Sequence, residues 1–153
     1  MTATPPPAAI PERHPGDFHP LEMIPPFRRF APSPLRDLAY TFVWNALMAG
    51  LFIVGGQLFS SRGLSAAACW RIFVIAQCIG FSIHALFFVG GVARADAWVH
   101  RRGGLMAVAY YTGVACAGVL LGFLVAGLLL DMDVQRFYAS PRMVGGVLLN
   151  SLV

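Results

Sequence analysis

The sequence predicts an all-α membrane protein, a polytopic helix bundle with three full transmembrane helices and a truncated fourth. Three long segments, 38–59, 72–93 and 103–130, contain no Asp, Glu, Lys or Arg. Each reaches or exceeds the ~20 residues that a helix rising ~1.5 Å per residue needs to cross a ~30 Å hydrocarbon core. Composition agrees: charged residues make up 12% of the chain, against roughly 25% in soluble domains.

The apolar runs also set the predicted boundaries. We place the full spans at about 38–59, 72–93 and 105–130, because charged or turn-forming residues interrupt the chain between them. A fourth apolar segment begins at 143 and has eleven residues up to 153, or only ~16 Å of helix. We therefore expect a partial fourth helix, and a chain that is the front part of something longer. Residues 27–153 are assigned to one transmembrane helical domain.

Residues 1–26 form a separate, proline-rich region. Eight of the eleven prolines fall there, and no apolar periodicity accompanies them. A segment of this composition cannot bury enough apolar surface to offset its chain entropy. We expect a disordered N-terminal tail.

The start of the first helix has its own signals. Residues 27–30 combine aromatic rings with guanidinium groups, which suits the headgroup zone of a membrane. Ser33 can cap exposed N–H groups, and Pro34 fits the first helical position. Asp37 lies in the first turn, where the helix dipole favours an anion. The first helix is expected to run from about Pro34 to about Phe59.

Arginine distribution predicts the orientation. Lysine is absent, so the net charge of +4 comes from arginine, and we interpret it as topology and lipid-headgroup contact rather than nucleic-acid binding. Six arginines lie on the side of the membrane shared by the N-terminus and the second loop, namely Arg28, Arg29, Arg36, Arg94, Arg101 and Arg102. Four lie on the other side: Arg62, Arg71, Arg136 and Arg142. The excess of arginine on the first side favours a cytoplasmic N-terminus.

Three polar side chains within the spans, Asn45, Gln77 and His84, are the candidate site residues. Gln77 and His84 are seven residues apart and therefore share one face of the second helix. Desolvation favours a neutral imidazole, which can ligate a metal or haem or act as a proton-linked switch. We favour interhelical hydrogen bonds, worth roughly 0.6 to 2 kcal/mol each, over ligand sensing. Haem is disfavoured because the other histidines lie in the tail or a loop.

Small residues mark candidate helix contacts. Gly118 and Gly122 form a GxxxG pattern in the third span, and Ala46 with Gly50 forms a small-xxx-small pair in the first. Both patterns allow helices to approach closely. The approach can occur within one bundle or between the protomers of a homodimer, and the pattern is the same in the two cases.

Catalytic, cofactor and metal sites are not indicated. The chain contains no Walker A loop and no HExxH motif. Cys69, Cys78 and Cys116 are odd in number and include no CxxC pair, so three small buried residues are favoured over a disulfide framework or zinc site. We expect no catalytic residue and no cofactor in this chain.

Three segments carry a family resemblance. The run from Phe27 to Asn45, FRRFAPSPLRDLAYTFVWN, resembles the start of LytS/AlgZ-like proteobacterial sensor histidine kinases. Gln77 to His84 looks like the second-helix segment of their membrane module. Ser140-Pro141-Arg142, entering an apolar helix, is similar to the start of its last span. The resemblance covers roughly residues 27–153.

The resemblance implies the input module of a two-component system in the bacterial inner membrane. A response regulator would be a partner through a kinase domain that this chain does not contain, and none of its four histidines can be carried over as the phosphoacceptor. Two alternatives stay open. One is a small multi-pass inner-membrane protein with a structural, assembly or transporter-accessory role. The other is a small membrane enzyme or carrier that uses Gln77 and His84.

Overall fold

The computed structural model describes residues 20–31, 33–61 and 63–152. This part of the chain is helical and contains no strand, so the predicted all-α class is confirmed. Three helices are long and apolar enough to cross a membrane, and they suit a multi-pass membrane protein. The helices are α1 (Pro34–Phe59), α2 (Ala66–Val92), α3 (Ala95–His100), α4 (Gly104–Leu129), α5 (Val134–Tyr138) and α6 (Pro141–Leu152). Residues 1–19 of the predicted tail lie outside the described residues.

Local hydrogen bonds define both ends of α1. Its first turn is capped because the Ser33 hydroxyl accepts the backbone N–H of Arg36 at 3.1 Å. At the other end, the Gln57 amide donates to the Leu64 carbonyl at 3.0 Å and accepts the Leu64 N–H at 2.9 Å. Gly63 has a φ of +66° in this turn, a conformation that glycine adopts without strain. The turn therefore makes α1 and α2 antiparallel neighbours.

Helix α2 is the centre of the bundle. Helices α1 and α4 both pack along it, and α6 packs against α4. Among the described residues, α1 and α4 have little direct contact with each other. Most large apolar side chains point outward, as Leu58 and Leu105 do with 74% and 87% of their surface exposed. Such a surface is suited to lipid, because acyl chains solvate apolar groups without penalty.

Two short helices, α3 and α5, lie in the segments that follow the second and third predicted spans. Helix α3 follows Arg94, which has a φ of 56°, and joins α2 to α4. Helix α5 folds back along α4, where the Tyr138 hydroxyl donates to the Leu120 carbonyl. Partial burial against α4 raises the pKa of Tyr138.

Ordered structure begins before the predicted boundary at Phe27. Residues Pro20–Met23 and Pro25–Arg29 form two 3-10 turns that dock on the start of α1. The Tyr40 hydroxyl donates to the Phe27 carbonyl, and the two rings meet edge to face with centroids 5.5 Å apart. The composition of residues 20–26 does not predict this docking, because the side chains that these residues contact belong to α1.

An ion-pair cluster joins these turns to α1. The Arg36 guanidinium lies 3.0 Å from the Glu22 carboxylate and 2.9 Å from that of Asp37. It also donates to the Phe30 carbonyl at 3.3 Å. The Glu22 and Arg36 side chains are only 1% and 7% exposed, so this is a buried ion pair rather than a surface one.

A candidate site between the first two transmembrane helices

Polar side chains from α1 and α2 meet along one interhelical seam. Thr41 and Asn45 are one turn apart on α1, and both are buried. Gln77, Gly80 and His84 share one face of α2. Because the helices are antiparallel, Thr41 reaches His84 and Asn45 reaches Gly80. The structure thus brings the three candidate polar residues, Asn45, Gln77 and His84, into one seam.

His84 is oriented by the hydroxyl of Thr41. The His84 Nδ1 atom lies 3.1 Å from Thr41 Oγ1, and Thr41 Oγ1 donates its proton to the Asp37 carbonyl at 2.9 Å. A hydroxyl has one proton, and we assign that of Thr41 to the Asp37 carbonyl. In this assignment Thr41 accepts from Nδ1–H of His84, and a neutral imidazole carries a lone pair on Nε2.

The other two polar residues, Asn45 and Gln77, form fewer hydrogen bonds than their side chains could. The Gln77 amide donates to the Phe42 carbonyl at 3.3 Å. The Asn45 amide lies directly against the Cα of Gly80, in space that any larger residue would fill. Although the two side chains are only 6% and 9% exposed, Asn45 Nδ2 and Gln77 Oε1 have no hydrogen-bond partner among the described residues. The Asn45 atom is a donor on α1, and the Gln77 atom is an acceptor on α2.

The GxxxG pattern of the third span, Gly118 and Gly122, mediates helix packing within this chain. A Cβ at Gly118 would lie 2.9 Å from the Cα of Ile83, and one at Gly122 would lie 2.7 Å from the backbone nitrogen of Ile79. Gly118 and Gly122 therefore let the α4 backbone rest on α2. The matching pair in α1 behaves differently, because a Cβ at Gly50 would have no atom within 4 Å in the described chain, so Gly50 makes no such close contact there, and Ala46 is half-buried.

Thr41 and Gly80 take part in the seam but were not among the predicted candidate residues. The Thr41 hydroxyl lies at hydrogen-bond distance from His84, and Gly80 makes room for the Asn45 amide. The signal available in the sequence was their spacing, four residues before Asn45 and three after Gln77. This spacing becomes informative only once the register of α1 against α2 is known.

The seam offers hydrogen-bonding groups and close packing between α1 and α2. Within the described ranges, no three His, Cys, Asp or Glu side chains come together in a way that could hold a metal ion. The three cysteines are free thiols. What the seam can do is hold α1 and α2 in one register, and present the lone pair of His84.

No protein-family model, curated protein or solved structure matches this chain.

Proposed function

We propose that this chain is the membrane-embedded input module of a two-component sensor histidine kinase. The observation that carries the proposal is that the two longer segments resembling such kinases, 27–45 and 77–84, pack on each other. Their contacts join Thr41 to His84, Phe42 to Gln77 and Asn45 to Gly80. The two segments are distant in the sequence, and both resemble the same family. Because they also contact each other in the structure, we interpret them as parts of one functional module.

The unmatched atoms of the seam suggest how such a unit would switch. A buried polar group without a partner costs about 1–3 kcal/mol, and here a spare donor on Asn45 faces the same seam as a spare acceptor on Gln77. A second register of α1 against α2 that pairs them would offset part of this cost. A signal that binds one register better would then shift the equilibrium between the two. Helices α4 and α6, packed in series on α2, would transmit the shift to a kinase domain.

The proposal includes a bacterial inner-membrane location with a cytoplasmic N-terminus. We expect a cysteine at position 98, on a background without the three native cysteines, to react with a membrane-impermeant maleimide only after cells are permeabilised. A cysteine at Ser61, in the turn between α1 and α2, is expected to react in intact cells. The arginine asymmetry of the loops is the physical reason. Reaction at position 98 in intact cells would reverse the orientation.

The sequence of the native gene and the activity of its full-length protein test the kinase proposal. We expect the reading frame to continue into a histidine-bearing helix and an ATP-binding domain, and the whole protein to autophosphorylate in membrane vesicles while this chain alone does not. Asn45→Leu removes the spare donor, so it should change the rate of autophosphorylation severalfold without lowering protein level. Leu47→Ala, at a position with 51% exposure, is the matched control and should leave the rate unchanged. A native stop codon directly after this region, with the intact small protein in cells, would instead favour the structural or accessory role.

A further inference from the structure

We infer that His84 is the hydrogen-bond acceptor of a site for a lipid-soluble aromatic alcohol of the hydroquinone class. The first observation is the state of its second ring nitrogen. His84 is half-buried, and its side-chain hydrogen bond with the described residues joins Nδ1 to Thr41 Oγ1. Nε2 has no hydrogen-bond or ion-pair partner there, and it is not among the enclosed polar atoms. It is therefore open to a ligand that approaches from the membrane.

The tautomer fixes what the ligand must provide. With the Thr41 proton assigned to the Asp37 carbonyl, Thr41 accepts from Nδ1–H, and a neutral ring of this tautomer presents a lone pair at Nε2 rather than a donor. Acyl chains carry no donor, so an acceptor at this place is left without a hydrogen bond in pure lipid. A ligand hydroxyl that donates to Nε2 would satisfy it. A carbonyl or an ether could not.

The depth of His84 limits the ligand to lipid-soluble molecules. His84 lies eight residues before Val92, the last residue of α2, which corresponds to about 12 Å along the helix axis. That position is within the hydrocarbon of the leaflet that borders α3. A soluble metabolite does not reach this depth, whereas a ring carried on an apolar tail does.

The neighbouring side chains favour an aromatic ligand. Phe81 and Phe88 are three residues before and four residues after His84, so they flank it on the same side of α2. Phe88 is 65% exposed and Phe81 is half-buried. Phenyl rings on both sides of an acceptor can pack against a ligand ring edge to face or offset. A hydroquinone with an alkyl tail combines the ring, the donating hydroxyl and the solubility. Its oxidised form has carbonyl acceptors alone, so the site would distinguish the two forms.

The role of this ligand as the signal of the input module rests on the proposed function. Binding of the ligand does not depend on that function, and it can be measured on this chain without any kinase. A kinase that autophosphorylates but whose membrane module binds no hydroquinone would refute the present inference alone. Binding of hydroquinone by a protein whose native gene encodes no kinase domain would refute the proposed function alone.

The test uses the chain in lipid nanodiscs, with three matched probes that share one alkyl tail. We expect the hydroquinone, kept reduced under anaerobic conditions, to bind about tenfold or more tightly than its dimethyl ether or the oxidised quinone, since one hydrogen bond in apolar surroundings distinguishes them. In ¹⁵N spectra of histidine-labelled protein, Nε2 of His84 should show the shift of an unprotonated ring nitrogen and should move when the hydroquinone binds. Equal binding of the dimethyl ether, or a hydrogen on Nε2, would overturn the inference. Equal competition by a long-chain aliphatic alcohol would overturn the aromatic assignment.

One variant separates binding from folding. In His84→Asn the side-chain amide can occupy the place of Nδ1 and keep a hydrogen bond to Thr41, but no atom replaces Nε2. We expect this variant to melt near the temperature of the wild type and to lose at least about tenfold in hydroquinone affinity, whereas His84→Leu loses both stability and binding. His100→Asn, at an exposed position, is the control and should bind normally. Wild-type affinity in His84→Asn would refute the role of Nε2.

Discussion

Replacement of Gly122 by alanine is expected to separate α4 from α2 and to destabilise the bundle by about 1–3 kcal/mol or more. The new Cβ would lie 2.7 Å from the backbone nitrogen of Ile79 and 2.9 Å from its Cγ1 atom. A backbone atom cannot rotate away as a side-chain tip can, so the whole of α4 must shift. The shift would also loosen the contact of Gly118 on Ile83. In lipid, close packing of this kind is a main source of helix association.

The same helix provides the control for this prediction. A Cβ at Gly113 would have no atom within 4 Å, so Gly113→Ala should be neutral, or stabilising by up to about 1 kcal/mol through helix propensity. Thermal unfolding in detergent, followed by circular dichroism and by size-exclusion chromatography, compares the two variants. We expect a lower melting temperature for Gly122→Ala alone. If the two variants melt alike, the close contact between α4 and α2 does not stabilise this protein.

The long helices could be predicted from the sequence because lipid imposes a simple rule. A spanning segment must satisfy its own backbone and present apolar side chains, and both demands are visible in one stretch of sequence. The capping signals at Ser33 and Pro34 then located the start of α1. The short helices α3 and α5 were not predicted, because tertiary contacts such as that of Tyr138 with Leu120 stabilise them rather than their own composition.

The candidate site was predictable on each helix but not between helices. The shared face of Gln77 and His84 follows from helical spacing. Their partners, Thr41 and the carbonyl of Phe42, depend on the register of α1 against α2, which no pattern within a single helix contains. The glycines show the same limit. The sequence gives equal reason to expect close packing at Gly50 and at Gly122, and the structure places close packing at Gly122.

Arg36→Met is expected to release the N-terminal turns from α1. The substitution keeps much of the apolar stem but leaves the Glu22 carboxylate, 1% exposed, without the cation now 3.0 Å away. Removal of one partner of a buried ion pair costs about 3–5 kcal/mol, because the remaining charge stays desolvated. Since the turns contact α1 through few residues, the cost should appear as local opening of residues 20–31 and not as unfolding of the spans. Hydrogen exchange measured by mass spectrometry should show protection there falling by about a hundredfold or more.

Two further variants test whether the ion pair itself is responsible. Glu22→Gln removes the charge that Arg36 neutralises while keeping an acceptor, and Arg36 retains its contact with Asp37, so its effect should be smaller. In the double variant Arg36→Met with Glu22→Leu, no buried charge is left alone, and much of the protection should return. Arg102→Met is the control for loss of a guanidinium, because Arg102 lies over the exposed Trp98 ring and an exposed contact of this kind stabilises by about 0.5–1 kcal/mol. Unchanged exchange of residues 20–31 in Arg36→Met would show that the Tyr40–Phe27 contact alone holds the segment.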